Sequence, residues 1–493
     1  MGAAALSFPA HARAGTYEVV ACAAAQGANR AWVPFNTDAS GLVTEDGCAA
    51  VMGGAADGLS SRDRVPAPPN AVAGTEAGWR FPAPPGTAIS RITAQYYLGQ
   101  FSSGEWLPFL RTADGTVLDS CVPASGQTRC ERGASAFDPL GPSSSFAVNT
   151  SAVEAGVRCA APSGTCGNGV GLNAAWMAMY SARVQINDLL LPSLVAPTGS
   201  LWADGFQSGA RSATVAATDN TGIRSTWIAI DDTRRSSATR NCDYTRTIPC
   251  TNETGATLSL DTRTIPDGAH LATVGADDAG GNTSSESRMI VVDNTAPTAP
   301  VNLTLDGNAR RSINSFNLAW RVPEGQVAPI SAARWSLCPR GKSTSAECIT
   351  GPGTTAQTLD GVAAPAIGDW DLRVWLVDAA GNANPSAAAG PLRLTLLGHD
   401  PRVRIRSVRR AGRLVRVSGI TRARSGRINV RVERRVGGRT LRVQGTVRIR
   451  DGRWTRRLRL TTRMAQFMRL NAIARFDAQQ GYRAAVARRA VPR

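Results

Sequence analysis

Two proline-bearing junctions, Val195-Ala196-Pro197-Thr198 and Asn294-Thr295-Ala296-Pro297-Thr298, stand 100 residues apart, and this period constrains the fold more than any other feature of the chain. A second pair keeps almost the same step, because Asp277-Asp278-Ala279-Gly280-Gly281-Asn282 and Asp378-Ala379-Ala380-Gly381-Asn382 lie 101 residues apart and each precedes a last alternating run. Repetition at a fixed step means that one folding unit is written twice. A step near 100 is the length of one immunoglobulin-type sandwich, so residues 196–295 and 296–399 are read as two such units. In a chain of 493 residues the flanking segments 15–195 and 400–493 then need cores of their own.

Apolar and polar residues alternate through both repeats, which is the period of a half-buried strand. The first unit offers strands at Ala213 to Thr218, Ser225 to Ile230, Thr257 to Leu260, Ala269 to Val274 and Arg288 to Val292. The second offers Phe316 to Trp320, Ala333 to Leu337, Asp371 to Val377 and Leu392 to Leu396. Trp227 with Cys242 and Cys250, and Trp335 with Cys338 and Cys348, occupy like places: a core Trp on an early strand, then a short bridged excursion. Residues 15–195 carry strand-like stretches at Tyr17 to Cys22, Ala88 to Leu98, Trp106 to Leu110, Phe146 to Asn149 and Ala175 to Ile186, without a persuasive amphipathic helix, and read as a larger jelly-roll sandwich. From Val403 onward Val, Ile and Leu alternate with Arg402, Arg404, Arg406, Arg416 and Arg431, writing one apolar and one cationic face. Gly437-Gly438 and Asp451-Gly452 supply hairpin turns, and Trp454, Phe467 and Phe476 a core, for a fourth sandwich. The fold class is therefore all-β, with β-sandwiches in series.

The run Ile265-Pro266-Asp267-Gly268-Ala269-His270, the turn Asp277 to Asn282 and the linker Val292-Asp293-Asn294-Thr295-Ala296-Pro297 resemble the bacterial Ig-like repeats of secreted actinobacterial proteins. Their form is a DG-H-x-V strand, a DxAGN turn and a DxTAP linker. The first unit departs by an extra residue in the turn, and the second has Gly368-Asp369-Trp370 in place of the DG-H element. The resemblance spans both repeats and implies the fold, with spacer or adhesion roles. The stretch Ala182 to Asp188 resembles the closing strand of concanavalin-like domains that precede such repeats.

Ten cysteines stand at Cys22, Cys48, Cys121, Cys130, Cys159, Cys166, Cys242, Cys250, Cys338 and Cys348, none in the close pairs of a zinc or redox site. Six, two, two and none per unit is an even partition, which favours disulfides and an oxidising compartment outside the cytoplasm. The four couples ten or fewer residues apart close small loops; whether Cys22 joins Cys48 is left open. Residues 1–14 read as the remnant of a signal peptide, with Ala12-Arg13-Ala14 as its cleavage site and no positive region before it. No apolar run reaches the ~20 residues that span a bilayer.

Charge is concentrated at one end. Residues 400–493 hold 28 Arg against Asp400, Glu433, Asp451 and Asp477, a surplus larger than the net +18 of the whole chain. Guanidinium groups take phosphate and carboxylate bidentately, so Arg402, Arg404, Arg406, Arg416 and Arg431 are the candidate polyanion contacts. Only Lys342 breaks the Arg monopoly among the basic residues, a codon bias that offers a competing explanation. The expected partner is an anionic cell-wall polymer or polysaccharide; export makes nucleic acid an unfavoured one.

Catalytic signals are sparse. The three histidines, His11, His270 and His399, lie in no nucleophile or ligand-pair motif, and no cofactor motif occurs. Trp79, Tyr97, Phe101 and Trp106 are candidates for stacking a glycan, against the plainer reading that Trp79, Tyr96 and Trp106 fill the core. Asp219-Asn220, Asp277-Asp278 and Asp378 suit either Asx turns or calcium. The sequence thus favours a non-enzymatic, exported adhesion protein. The rival is a polysaccharide-acting hydrolase whose carboxylates come from Glu105, Asp114, Asp119, Glu131, Asp138 and Glu154.

Overall fold

The computed structural model describes residues 15–22, 29–51, 58–65, 70–101, 105–134, 141–169, 172–342, 346–479 and 481–492. The signal segment, His11 and Asp138 lie outside them. The chain divides into two compact units, Met1–Val292 and Asp293–Arg493. Each contains two β-sandwiches, and the protein is all-β.

In the first unit, two fourteen-residue strands, Thr87–Gln100 and Ala175–Asp188, form the spine of a seven-stranded sheet. Their length exceeds the five or six residues usual for strands because both alternate without a Pro or Gly break through most of their run. A five-stranded sheet built on Glu76–Pro82, Ala152–Cys159 and Trp106–Thr112 faces them. Between the layers lie Leu98, Met177, Val184, Phe81, Val153 and Leu110, all 2% exposed or less. On Glu76–Pro82 and Ala152–Cys159 the core residues Ala77, Trp79, Phe81, Val153, Ala155 and Val157 alternate with outward Gly78, Arg80, Glu154 and Gly156, where an Arg80–Glu154 ion pair shields the outer face.

Both repeats fold with one topology. A three-stranded sheet, Ser193–Thr198 with Ala210–Thr218 and Glu253–Asp261, packs on five strands ordered Phe206–Gln207, Thr283–Val292, Gly268–Asp278, Ile223–Ile230 and Thr233–Thr239. In the second unit, Val301–Leu305, Phe316–Arg321 and Thr358–Val362 face Arg310–Arg311, Ala389–Leu396, Gly368–Asp378, Ile330–Pro339 and Ile349–Pro352 in the same order. In each, the two-residue strand pairs in parallel with the last. The junction around Pro197 is no free linker but the first strand of its sandwich.

The core assignment of one tryptophan needs correction. Ile228 and Ile230 point into the first repeat's core, so Trp227, one position before Ile228, lies on the outer face, stacked on Gly275 directly across the ladder. Trp335 also lies across from a glycine, Gly351, but on the core face of its strand with Ala333 and Leu337, packed against the second core that Trp320 and Trp370 fill. The glycines leave the space that an indole occupies.

All five disulfides join neighbours in sequence: Cys22–Cys48, Cys121–Cys130, Cys159–Cys166, Cys242–Cys250 and Cys338–Cys348. No cysteine is free, and none lies in the fourth sandwich. That sandwich sets Arg404–Ala411, Leu414–Ile420 and Arg453–Arg459 against Arg439–Arg448, Arg427–Val436, Leu470–Phe476 and Ala485–Val491. Trp454 and Phe476 are buried between the layers, with Phe467 packed at the margin. Gly437 and Gly438, both at positive φ, turn one hairpin as expected. Asp451-Gly452 makes an equally tight turn, but its flanking strands belong to opposite sheets.

Candidate functional site

The arginines of the fourth sandwich are divided between two outward faces, not gathered on one. On the three-stranded sheet, Arg409 pairs with Arg416 and Arg416 with Arg457, so three guanidinium-bearing positions form one row across the strands. Directly opposed side chains on such a ladder start about 5 Å apart. The next row holds Ser407, Ser418 and Thr455, with the two serine hydroxyls 2.7 Å apart, and the row beyond it Arg404, Ile420 and Arg453. Arg459 faces Leu414 at the other end. Arg404, Arg409, Arg416, Arg453, Arg457 and Arg459 are all exposed, and among the described residues none has a carboxylate within ion-pair reach.

The four-stranded sheet is different. Arg431 is ion-paired to Glu433 at 3.0 Å, Arg475 to Asp477 at 2.7 Å, and Ile473 is buried between its cross-strand neighbours Arg431 and Arg488. Of the five arginines expected to act together, Arg404 and Arg416 share the three-stranded face. Arg406 lies at a bulge in the same edge strand, where its carbonyl accepts from Arg489. Arg402 precedes that strand at φ 44°, its N–H donating to Asp400 at 2.9 Å, and Arg431 is on the opposite side. Arg409, Arg453, Arg457 and Arg459 belong to this face and are not among the five expected from the sequence. The alternation of Arg453, Thr455, Arg457 and Arg459 with Trp454 and Leu458 contained the signal, and Arg456 obscured it.

The expected stacking platform does not form. Trp79 and Trp106 are core residues, 4% and 1% exposed, with their indole N–H groups given to Ser60 and Gly167 carbonyls. Tyr97 and Phe101 lie on the other side of the seven-stranded sheet with Trp176 and Tyr180, but Tyr97 is 2% exposed and its hydroxyl donates to Glu131. Burial raises the Tyr97 phenol above its usual range, while Arg129 beside Glu131 lowers that carboxyl. Phe101 is half-buried under the Arg129 guanidinium.

The carboxylates considered for hydrolysis are dispersed among structural partners. Glu154 joins Arg80 and Arg111, Asp119 accepts from Tyr96, Asp114 accepts from the Thr116 N–H, and Glu105 accepts from the Gly167 N–H. His270 offers one ring nitrogen to Asp231 at 2.6 Å and the other to the Pro266 carbonyl at 2.8 Å. Both partners are acceptors, so the doubly protonated ring fits best, and the Asp231 hydrogen bond raises its pKa.

The first Asp-rich turn clips two consecutive sandwiches. Asp278 accepts from the Gly281 and Asn282 N–H groups of its own turn, and Asn282 reaches out to the carbonyls of Asp188 and Leu190. In the second unit Asp378 and Asn382 repeat this, with Asn382 donating to the Asp293 carbonyl. Around the first clip, Tyr17 donates to the Thr247 carbonyl, Arg30 pairs with Asp243 at 2.7 Å and Gly15 donates to Asn282. The jelly-roll-like sandwich and the first repeat are therefore fastened together rather than loosely tethered.

This junction encloses Asp188, Asp219 and Asp278, whose carboxylate oxygens lie within 4.8 Å of one another. Calcium takes six to eight oxygens; here three side chains supply them, and most of these atoms already accept from Leu190, Thr221, Gly281 or Asn282. Burial, with the neighbouring Asp219 and Asp188 charges, pushes Asp278 up to about 6, and burial raises Asp188 as well. A carboxyl raised on folding stabilises fully below its unfolded pKa and loses that contribution as pH rises through its folded value. Asp219→Asn keeps an oxygen for Thr221 and removes one charge, so it is expected to stabilise the first unit by about 1 kcal/mol at pH 7. In calorimetry that gain should shrink by pH 5; a gain that grows on acidification would contradict the assignment.

No protein-family model matches the chain, and no curated protein matches its sequence. Among solved structures it is similar to a tetra-tandem repeat from the extending region of a large adhesion protein, at 15% identity over 86% of this chain and 96% of that one, with a TM-score of 0.28. A Ca2+-stabilized adhesin with which an Antarctic bacterium binds ice is 12% identical over 86% of this chain and 94% of its own, TM-score 0.29. An endo-β-1,4-mannanase from Thermotoga petrophila matches 22% of this chain and 21% of its own at 17% identity, TM-score 0.16. Among the described residues no helix is long and apolar enough to cross a membrane.

Proposed function

We propose that the chain is a non-enzymatic extracellular contact protein whose carboxy-terminal sandwich binds anionic polymer outside the cell. The observation that carries this reading is the charge balance of that sandwich once internal pairs are subtracted. Asp400, Glu433 and Asp477 are each already engaged by Arg483, Arg431 and Arg475, leaving Asp451 to set against two dozen further arginines. Uncompensated charge of one sign on a rigid sheet raises the local concentration of polyanions and binds them through released counterions. Solubility alone would be served by charges of mixed sign.

Five disulfides support an oxidising location, since a reducing cytosol would not maintain them. The jelly-roll-like sandwich and first repeat, clipped through Asn282, make a stiff body suited to presenting a surface. The reading is tested by passing the full chain over an immobilised anionic polymer. Retention at low salt and release in a salt gradient are expected; passage without retention at low salt would contradict it.

A further inference from the structure

We infer that the three-stranded face of the carboxy-terminal sandwich is the docking surface, and that its partner is a linear polymer of small polyol units joined by phosphodiesters. This rests on the polyanion-binding reading above and deepens it. The two outward faces differ in what their arginines are free to do. On the four-stranded side Arg431 and Arg475 are held by Glu433 and Asp477, and Arg431 and Arg488 flank the buried Ile473. On the three-stranded side Arg409, Arg416 and Arg457 stand in one cross-strand row, with Arg404 and Arg453 two rows away and Arg459 at the far end, all exposed.

Rows on a strand repeat about every 6.8 Å, and neighbours within a row begin about 5 Å apart. A flexible chain with one phosphate per small repeat can set successive charges into that lattice, each phosphate taken by a guanidinium fork. The Thr455 hydroxyl and the one proton that the mutually bonded Ser407 and Ser418 hydroxyls leave over, between the arginine rows, offer neutral donors to the linking units.

What the face lacks decides between polyanions. Its outward positions on the three strands carry Arg, Ser, Thr, Ala, Leu and Ile side chains, without an aromatic ring. Uronate polysaccharides present pyranose faces that proteins hold on aromatic side chains, and single-stranded nucleic acids present bases that stack on them. A polyol phosphate chain requires neither.

The test uses the full chain with poly(glycerol phosphate), polygalacturonate, single-stranded DNA and phosphatidylglycerol vesicles matched in charge. Poly(glycerol phosphate) should bind most tightly. The triple variant Arg409→Gln, Arg416→Gln, Arg457→Gln should lose about tenfold or more in affinity, with a shallower salt dependence. The control triple Arg427→Gln, Arg448→Gln, Arg488→Gln removes equal charge from the other face and should lose less than about threefold. Unchanged melting of both variants verifies that they fold, and Arg→Lys at the three row positions should recover part of the loss. Equal losses from both triples would overturn the face assignment while leaving polyanion binding intact. Tighter binding of polygalacturonate, DNA or vesicles would overturn the polymer chemistry. Failure of the unaltered chain to bind any of the four would instead defeat the reading on which this one rests.

Discussion

Gly419→Ala should lower the unfolding temperature of the carboxy-terminal sandwich by about 15 °C. Gly419 lies opposite Trp454, and a Cβ there would meet the Arg404 carbonyl oxygen at 2.2 Å and the indole at 2.2 Å. Real contacts are never so short, and neither neighbour can yield cheaply: one is ladder backbone, and the other is a core side chain 3% exposed. Overpacking of this kind costs about 3 kcal/mol. Adding Trp454→Leu to the same chain should recover part of the loss by making room. Gly412→Ala, in a hairpin turn at φ 55° with open space around it, carries only the backbone strain of a left-handed residue and should cost about 1 kcal/mol. Calorimetry on the full chain checks the series; a Gly419→Ala transition shifted by less than that of Gly412→Ala would show that the packing around Trp454 is not as described.

Reduction of the disulfides is expected to act very unevenly along the chain. Three bonds, with sequence separations of 26, 9 and 7, lie in the jelly-roll-like sandwich, and each repeat has one. Closing loops of these sizes restricts the unfolded chain by about 2.5 to 3.5 kcal/mol each in the chain-entropy argument. Loss of three should bring a domain of ordinary stability close to its unfolding threshold. The fourth sandwich contains no cysteine and should be untouched. Amide exchange before and after reduction distinguishes them: protection should collapse across residues 15–188 and persist across 404–491. Equal loss in both regions, or none in either, would contradict the partition.

Much of this fold is legible in the sequence because its strands have one wet and one dry face. Phe316 to Trp320 and Arg288 to Val292 alternate, and they are strands. The reading weakens where alternation fails for a physical reason. Ala152–Cys159 alternates weakly, because Ala152 and Gly156 on its outward side blur the contrast with Val153, Ala155 and Val157, whereas Thr233–Thr239 is exposed almost throughout and has no apolar phase to detect. Trp227 reads as core yet faces outward, because hydrophobicity says which residues seek cover but not which side supplies it; there, the cross-strand Gly275 does. The DxAGN-like turns are recognisable, yet the role of Asn282 in holding the strand end at Asp188 depends on a contact 94 residues away. For the arginine surface, the letters disclosed its charge. Which arginines stand together was hidden, because strand order is not written in alternation: Arg431 alternates as cleanly as Arg416 and lies on the opposite sheet.

The measurement that bears most directly on the whole account is the salt dependence of binding between the full chain and a soluble phosphodiester polymer. Six unpaired arginines, each releasing about 0.7 counterion from a single-stranded polyanion, give an expected slope near −4 in a plot of log affinity against log salt. A slope near zero, or no measurable affinity at the lowest salt, would mean that this surface is cationic without being a binding site.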